Sequence, residues 1–295
     1  DRRLGGLHER PESVDAGRRI VYKKMENYWA KDLPVNRGFY NFERIQIDYY
    51  RDATVLLEAL KAGEYDFRYE NISRQWATGY ASTALNKGWL IKREIAHENP
   101  TGMQAFLFNL RRPLFQDIRV RKALNLAYDF EWANKQLFYG AYTRTLSYFS
   151  NSELASSGLP AGRELEILEP FRDQLPASVF NSAFTLPVTD GSGNSRAQLR
   201  EAKQLLEQAG WHIENNKLVK DGKPFEFEFL MYDTSYERIL NPYVKNLQRL
   251  GIGVKIRRVE PAQYVNRRRD FDFDLILDGF GDSLSPGNEQ IEYWH

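Results

Sequence analysis

Apolar and polar positions repeat along the chain with two periods, and the switch between them marks the elements. Asn41 to Tyr50 predicts a strand, with Ile45 and Ile47 alternating against Arg44, Gln46 and Asp48. A helix follows: Asp52 is placed as its N-cap, Val55, Leu56, Ala59 and Leu60 form the apolar stripe, and Gly63 closes it. Tyr65 to Tyr69 predicts a second strand, giving a βαβ unit. Met103 to Asn109 is a short apolar strand, broken at Arg112-Pro113. Beyond it Asp117 caps a helix carrying Val120, Ala123, Leu124, Ala127 and Tyr128 on one face. A further helical stretch runs from about Phe130 to Phe138 and stops before Gly140.

Residues 141 to 194 lose this regularity. Ser147, Ser150, Ser152, Ser156 and Ser157 crowd the first part, and Pro160, Pro170, Pro176 and Pro187 punctuate the rest. One short helix is expected near Glu164 to Leu168. The aromatics Tyr142, Tyr148, Phe149, Phe171, Phe180 and Phe184 predict an ordered wrap over the surface.

From Ser195 the periods return. Ser195 with Gln198 has the form of a capping box before the stripe Leu199, Ala202, Leu205, Leu206, Ala209, and Gly210 ends that helix. Asn215-Asn216 and Asp221-Gly222 are turn signals. Phe225, Phe227 and Phe229 alternate with Glu226 and Glu228 in a strand. A helix from Tyr236 to Leu247 stops at Gly251, Val254 to Val259 is a strand, Pro261 opens a helix, and Phe273 to Leu277 is a buried strand. Strand, helix, strand, helix, strand predicts a parallel sheet in an α/β domain.

Composition narrows the function. The 295 residues suffice for about two domains. With 41 Lys and Arg against 40 Asp and Glu, the net charge is +1, which gives no reason to expect nucleic acid or an anionic membrane as partner. No apolar run exceeds four residues, so no spanning helix or signal-peptide core is present in the chain as given. The absence of cysteine removes disulfides, thiolate metal sites and cysteine nucleophiles. The 6 Trp, 17 Tyr and 18 Phe exceed what a core needs and leave rings to line a cleft. The start at Asp1-Arg2-Arg3-Leu4 and the end at Tyr293-Trp294-His295 read as the cut ends of a longer protein.

Catalytic signatures are weak. His8, His97, His212 and His295 have no metal-ligand spacing, and Gly191-Ser192-Gly193-Asn194 lacks the strand and lysine of a phosphate loop. Glu226 and Glu228 share a strand face that reads as solvent-exposed. Arg267-Arg268-Arg269, followed by Asp270, Asp272 and Asp274, reads as a salt-bridged helix end. Ligands of open α/β sheets bind beyond the carboxyl ends of strands. Two such exits carry suitable groups: Met231-Tyr232-Asp233-Thr234-Ser235 and Asp278-Gly279-Phe280-Gly281-Asp282. A capped helix start and an ordinary turn remain alternatives for these exits.

Several segments, in order, resemble one family. Asn27-Tyr28-Trp29, Ala59-Leu60-Lys61-Ala62-Gly63-Glu64-Tyr65-Asp66, and Phe108-Asn109 followed by Pro113-Leu114-Phe115-Gln116-Asp117-Ile118-Arg119-Val120-Arg121-Lys122-Ala123-Leu124 are similar to the family 5 solute-binding proteins of ABC importers. Tyr232-Asp233-Thr234-Ser235 and Gly279-Phe280 resemble two later family segments. Phe149-Ser150-Asn151-Ser152-Glu153-Leu154, with Ser285-Pro286-Gly287-Asn288-Glu289-Gln290, resembles the Yej-type oligopeptide-binding branch. The resemblance implies a type II periplasmic-binding-protein-like two-lobe α/β clamshell, present as a fragment. Residues 1–98 would be the latter part of the first lobe and 99–295 most of the second. It implies a monomeric periplasmic receptor without catalytic residues, metal or cofactor, which delivers oligopeptides to an ABC permease, and a signal peptide in the full-length protein. Substrate contacts are expected at Asp282, Phe280, Gly281, Asn109, Phe108 and Tyr232, with Asp282 holding the peptide's α-ammonium. An acid–base hydrolase in the same cleft and a ligand sensor for a membrane kinase are the competing readings.

Overall fold

The computed structural model describes residues 8–294; Asp1 to Leu4 and His295, singled out above, lie outside the described residues. The chain divides into two compact units, Asp1–Arg93 and Glu94–His295.

The first unit opens with a hairpin that the apolar pattern does not announce. Strands β1 (Glu9–Asp15) and β2 (Arg19–Lys24) pair antiparallel, and β3 (Arg44–Asp48) pairs antiparallel with β2. Helix α1 (Ala53–Ala62) starts as the sequence predicts. The Asp52 carboxylate accepts from the Thr54 and Val55 amides, and Gly63 closes the helix at φ 78°. Leu57 and Leu60 bury themselves against Tyr80, Trp76 and Tyr65. The expected strand over 65–69 does not form, so there is no βαβ unit. The segment has no strand partner, and polar groups of its side chains bond inward. Tyr65 donates its hydroxyl to the Leu56 carbonyl. Arg68 lies 3.0 Å from the Glu70 carboxylate, and Glu70 also accepts from the Tyr80 hydroxyl and the Ile72 amide. Side-chain bonds thus hold this segment where a ladder was expected, and Phe67 and Tyr69 point outward. A short helix α2 (Thr83–Asn86) is capped by Ser82.

The second unit is built on a four-stranded sheet. Strand β4 (Met103–Phe108) leads to α3 (Ile118–Leu126) and α4 (Phe130–Leu137). The 141–194 stretch is irregular as expected, with the short helices α5 (Gly162–Leu168) and α6 (Ser178–Asn181). Then come α7 (Arg196–Gln208) and a small antiparallel sheet of β5 (His212–Glu214), β6 (Lys217–Lys220) and β7 (Lys223–Pro224). Strand β8 (Glu226–Met231), helix α8 (Glu237–Arg249), strand β9 (Gly253–Arg258), helix α9 (Pro261–Arg269), strand β10 (Leu275–Phe280) and helix α10 (Glu289–Trp294) complete it. The sheet order is β4-β10-β8-β9. The expected parallel pairing holds for β8 with β9 and β10, while β4 runs antiparallel to β10.

The period of two along β8 sorts the core. Phe225, Phe227, Phe229 and Met231 face a cluster made by α3, α7 and α8, while Leu230 and Ile276 face Tyr264 of α9. Two buried polar bonds fix α8 on α3: Tyr243 donates to the Leu124 carbonyl and Asn246 to the Ala127 carbonyl. The capping box at Ser195 is not made. The Ser195 hydroxyl donates instead to buried Asp129, which also accepts from Thr189 and caps α4 at the Trp132 amide, and Gln198 donates to the Val188 carbonyl. A buried carboxylate is the stronger acceptor for that hydroxyl, and it ties the irregular stretch to the core.

Asp117 caps α3 at the Arg119 amide, and the Arg119 side chain closes back on it at 2.6 Å. The guanidinium and the helix amide together hold the carboxyl down at about 2. Its folded value is depressed, so its contribution is present above the unfolded value near 3.8 and is lost as pH falls through about 2. Asp117→Ala should therefore lower stability by about 1 kcal/mol at neutral pH. In urea melts the gap to wild type should shrink as pH falls from 4 towards 2, and a gap constant with pH would deny the charge a part in it.

Candidate functional site

The carboxyl ends of β8 and β10 lie at the same edge of the sheet, because the two strands run parallel with Ile276 opposite Leu230. Tyr232 leaves β8 there, half exposed, with its ring 4.9 Å from that of Tyr264. The exit from β10 starts later than the sequence suggests. Gly279 and Phe280 still belong to the strand, opposite Gln104 and Met103 of β4, so the exit begins at Gly281.

Around that exit several side chains converge. The Phe280 ring meets Tyr148 edge to face at 5.5 Å and Tyr293 at 5.3 Å. Tyr293 donates its hydroxyl to the Gly281 carbonyl at 3.2 Å. Asp282 accepts from the Gln290 amide at 2.7 Å through Oδ1, while its Oδ2 is buried with no hydrogen-bond partner. Burial, and then the charge of Asp282, pushes the Tyr148 phenol above its ordinary range. That oxygen is an acceptor without a donor, and because protein atoms shield it from solvent an ammonium or amide N–H reaches it only when the exit opens.

Phe108 and Asn109 are not part of this cluster. Strand β4 is antiparallel to β10, so Phe108 sits opposite Leu275, at the far end from Phe280 and about 17 Å along the strand. The Phe108 ring packs on Phe115. Asn109 is buried and fully employed: its amide donates to the Phe271 and Phe273 carbonyls and its Oδ1 accepts from the Arg111 amide. These bonds tie the turn after β4 to the residues that lead into β10. Tyr148, Gln290 and Tyr293 join the cluster without having been singled out as binding residues. Tyr148 comes from a loop more than a hundred residues away in sequence, and no local pattern joins it to Asp282.

The other candidate chemistries are accounted for by neighbours. Glu226 pairs with Lys217 and Glu228 with Arg267, and Arg267 and Arg268 also reach Asp272 and Asp278. The salt-bridged reading of this region holds, and the two glutamates do not converge on a common site. No group of His, Asp and Glu among the described residues has the arrangement of a metal site, and no helix among them is long and apolar enough to cross a membrane.

The family profile of the bacterial extracellular solute-binding proteins, family 5 Middle, matches residues 10–295. The chain belongs to this family. Family 5 members are solute-binding proteins, not enzymes. A protein named probable peptide-binding protein YejA, from Agrobacterium fabrum, is 42% identical over 286 residues, covering 96% of this chain and 47% of its own. The solved structure of NikA from Brucella suis with Fe(III)-EDTA superposes with a TM-score of 0.64 at 19% identity, covering 96% of this chain and 49% of that one. The oligopeptide-binding protein AppA of Bacillus subtilis, with a nonapeptide, gives 0.63 at 20%, covering 95% and 48%. The fold is the type II periplasmic-binding-protein-like α/β fold. The chain spans about half the length of the curated relatives it matches.

Gly102 is the tightest backbone contact of the site. It has φ +67°, and a Cβ there would lie 2.4 Å from the Phe280 carbonyl oxygen. Gly102→Ala should push the end of β10 away and cost about 1–3 kcal/mol in thermal or urea unfolding. A change within 0.5 kcal/mol of zero would mean that this approach is easily relaxed.

Proposed function

We propose that the chain is part of a periplasmic receptor that captures oligopeptides, or peptide-like solutes, and hands them to an ABC importer without catalysis. On this reading the first unit belongs to the first lobe, the second unit makes most of the second lobe, and the lobes close on the ligand as a monomer. Family membership and the names of the peptide-binding relatives support the reading.

The observation that carries it is the free Oδ2 of Asp282, buried at the strand exit beside Phe280 and Gly281. A peptide with a free amino terminus brings an ammonium that must shed water on entering a closed cleft. A carboxylate held in place by Gln290 compensates for that loss with a charge-assisted hydrogen bond. The backbone at Gly281 has open space where a side chain would stand, so a main chain can approach. Tyr232, at the same sheet edge, offers a second aromatic face.

Such a bond contributes about 1.5–3 kcal/mol, or roughly ten- to a hundred-fold in affinity. In the whole protein, Asp282→Asn keeps the shape and removes the charge. Calorimetric titration should show free peptides weakened by about that factor and N-acetylated ones little changed. Equal losses for both would make Asp282 a structural partner of Gln290 and remove the ammonium site from this exit.

A further inference from the structure

The loop Gly191-Ser192-Gly193-Asn194, which lacks the strand and lysine of a phosphate loop, forms one wall of a hollow of about 740 Å³. Helix α7 forms the next wall with Arg196, Leu199, Arg200 and Lys203, and the end of α8 adds Arg249 and Leu250. The loop is held by its own bonds: the Asp190 carboxylate accepts from the Ser192 amide, and Ser192 Oγ accepts from the Asn194 amide. Gly193 has φ +83°, and a Cβ there would come 3.0 Å from the Trp132 ring. The cations that the loop itself lacks are thus supplied by two helices.

Four of the lining side chains are cations and none is an acid. Over the whole chain the charges nearly cancel, 41 against 40, so a wall of one sign is a local departure. Arg196, Arg200 and Lys203 stand at i, i+4 and i+7, on one face of α7 and about 10 Å from end to end. Lys203 lies 3.7 Å from Glu207, and Arg249 donates to Asn246 Oδ1. Among the described residues, Arg196 and Arg200 make no hydrogen bond and no ion pair. Glu207 offsets one charge, which leaves a net of about three facing the hollow. Like charges gathered in this way repel, and an anion that bridges them removes the repulsion.

We propose that this hollow binds a ligand carrying two neighbouring phosphate groups. The planar fork of an arginine matches phosphate oxygens in pairs. Arg196 and Arg200 are about one turn apart, so one phosphate bridges them, and Lys203 and Arg249 remain for a second. Two phosphate groups carry about three to four negative charges at neutral pH, which matches the net charge of the wall; one group would leave about half of it uncompensated. The hollow is separate from the exits of β8 and β10. Arg249 is the last residue of α8, about 18 Å along the helix from Glu237, which follows the β8 exit. The proposal therefore does not rest on the peptide reading. A soluble diphosphate and a lipid headgroup with two phosphates share this chemistry.

The test is calorimetry on the whole protein at low ionic strength, with inorganic diphosphate, inorganic phosphate and a tetraglutamate peptide as probes. Diphosphate should bind once per chain and about tenfold or more tighter than phosphate. Arg196→Gln and Arg200→Gln should each weaken diphosphate about tenfold and leave the urea midpoint unchanged, since both side chains are exposed. Arg163→Gln removes the same charge from an exposed side chain outside the hollow and should leave binding as it is. Equal weakening by all three variants would reduce binding to overall charge and overturn the proposal. Tetraglutamate bound as tightly as diphosphate would also overturn it, and would make the hollow a seat for an acidic protein segment. Sedimentation with phosphatidylcholine vesicles, with and without cardiolipin, separates the two sources. Retention on cardiolipin vesicles that is lost in Arg200→Gln and reversed by diphosphate assigns the site to a lipid headgroup. Diphosphate binding without retention assigns it to a soluble diphosphate. Absence of diphosphate binding overturns the proposal whatever the vesicles do.

Discussion

Strand β10 is held on both sides, and the second unit depends on it. Parallel pairing with β8 brings the carboxyl ends of two strands to one edge, and antiparallel pairing with β4 bridges residues more than 160 positions apart. The far end of this seam is locked by Asn109, whose amide reaches back to the Phe271 and Phe273 carbonyls before β10 begins. The near end is closed by Gly102, packed under the Phe280 carbonyl. Between these points the register has no freedom, because a slip of one residue would turn Leu275 and Ile276 to the wrong faces of the sheet. The exit at Gly281 and Asp282 therefore stands at a fixed height above the sheet, where the ring of Tyr148 packs on Phe280.

Elements with strong periodicity were legible in the chain. Helices with an Asp cap, such as those begun by Asp52 and Asp117, start where the pattern puts them, since cap and stripe are both local signals. The parallel strands of the second unit follow from alternating phenylalanines and helical spacing. Local signals failed where a distant group competed for the same atoms. Ser195 left its own helix for Asp129, and the 65–69 segment exchanged a ladder for the Arg68–Glu70–Tyr80 network. The hairpin of β1 and β2 has no such signal, because β1 is exposed along most of its length and β2 is partly buried along most of its length, so neither alternates.

The site divides in the same way. Asp282, Phe280 and Gly281 could be nominated from a strand exit with glycines, a rule of fold geometry. Asn109 and Phe108 belong to a motif, and the structure places them at the other end of the β4–β10 pairing, where Asn109 bonds to the backbone. Tyr148, Gln290 and Tyr293 were out of reach, since only tertiary pairing brings them to the exit.

The serine-rich loop of residues 147–156 separates a frame of hydroxyl bonds from the surface it presents, two duties that proteins often load on the same residues. Removing the Ser147 hydroxyl would strand two amides at once, at about 1–3 kcal/mol for each buried one. The Leu154 side chain takes no part in that frame; only its backbone amide does, through Ser152. Substitutions at Leu154, and exchanges among rings at Phe149, would leave the hydroxyl frame intact. Changes there would alter the surface of the loop without undoing the bonds that hold it.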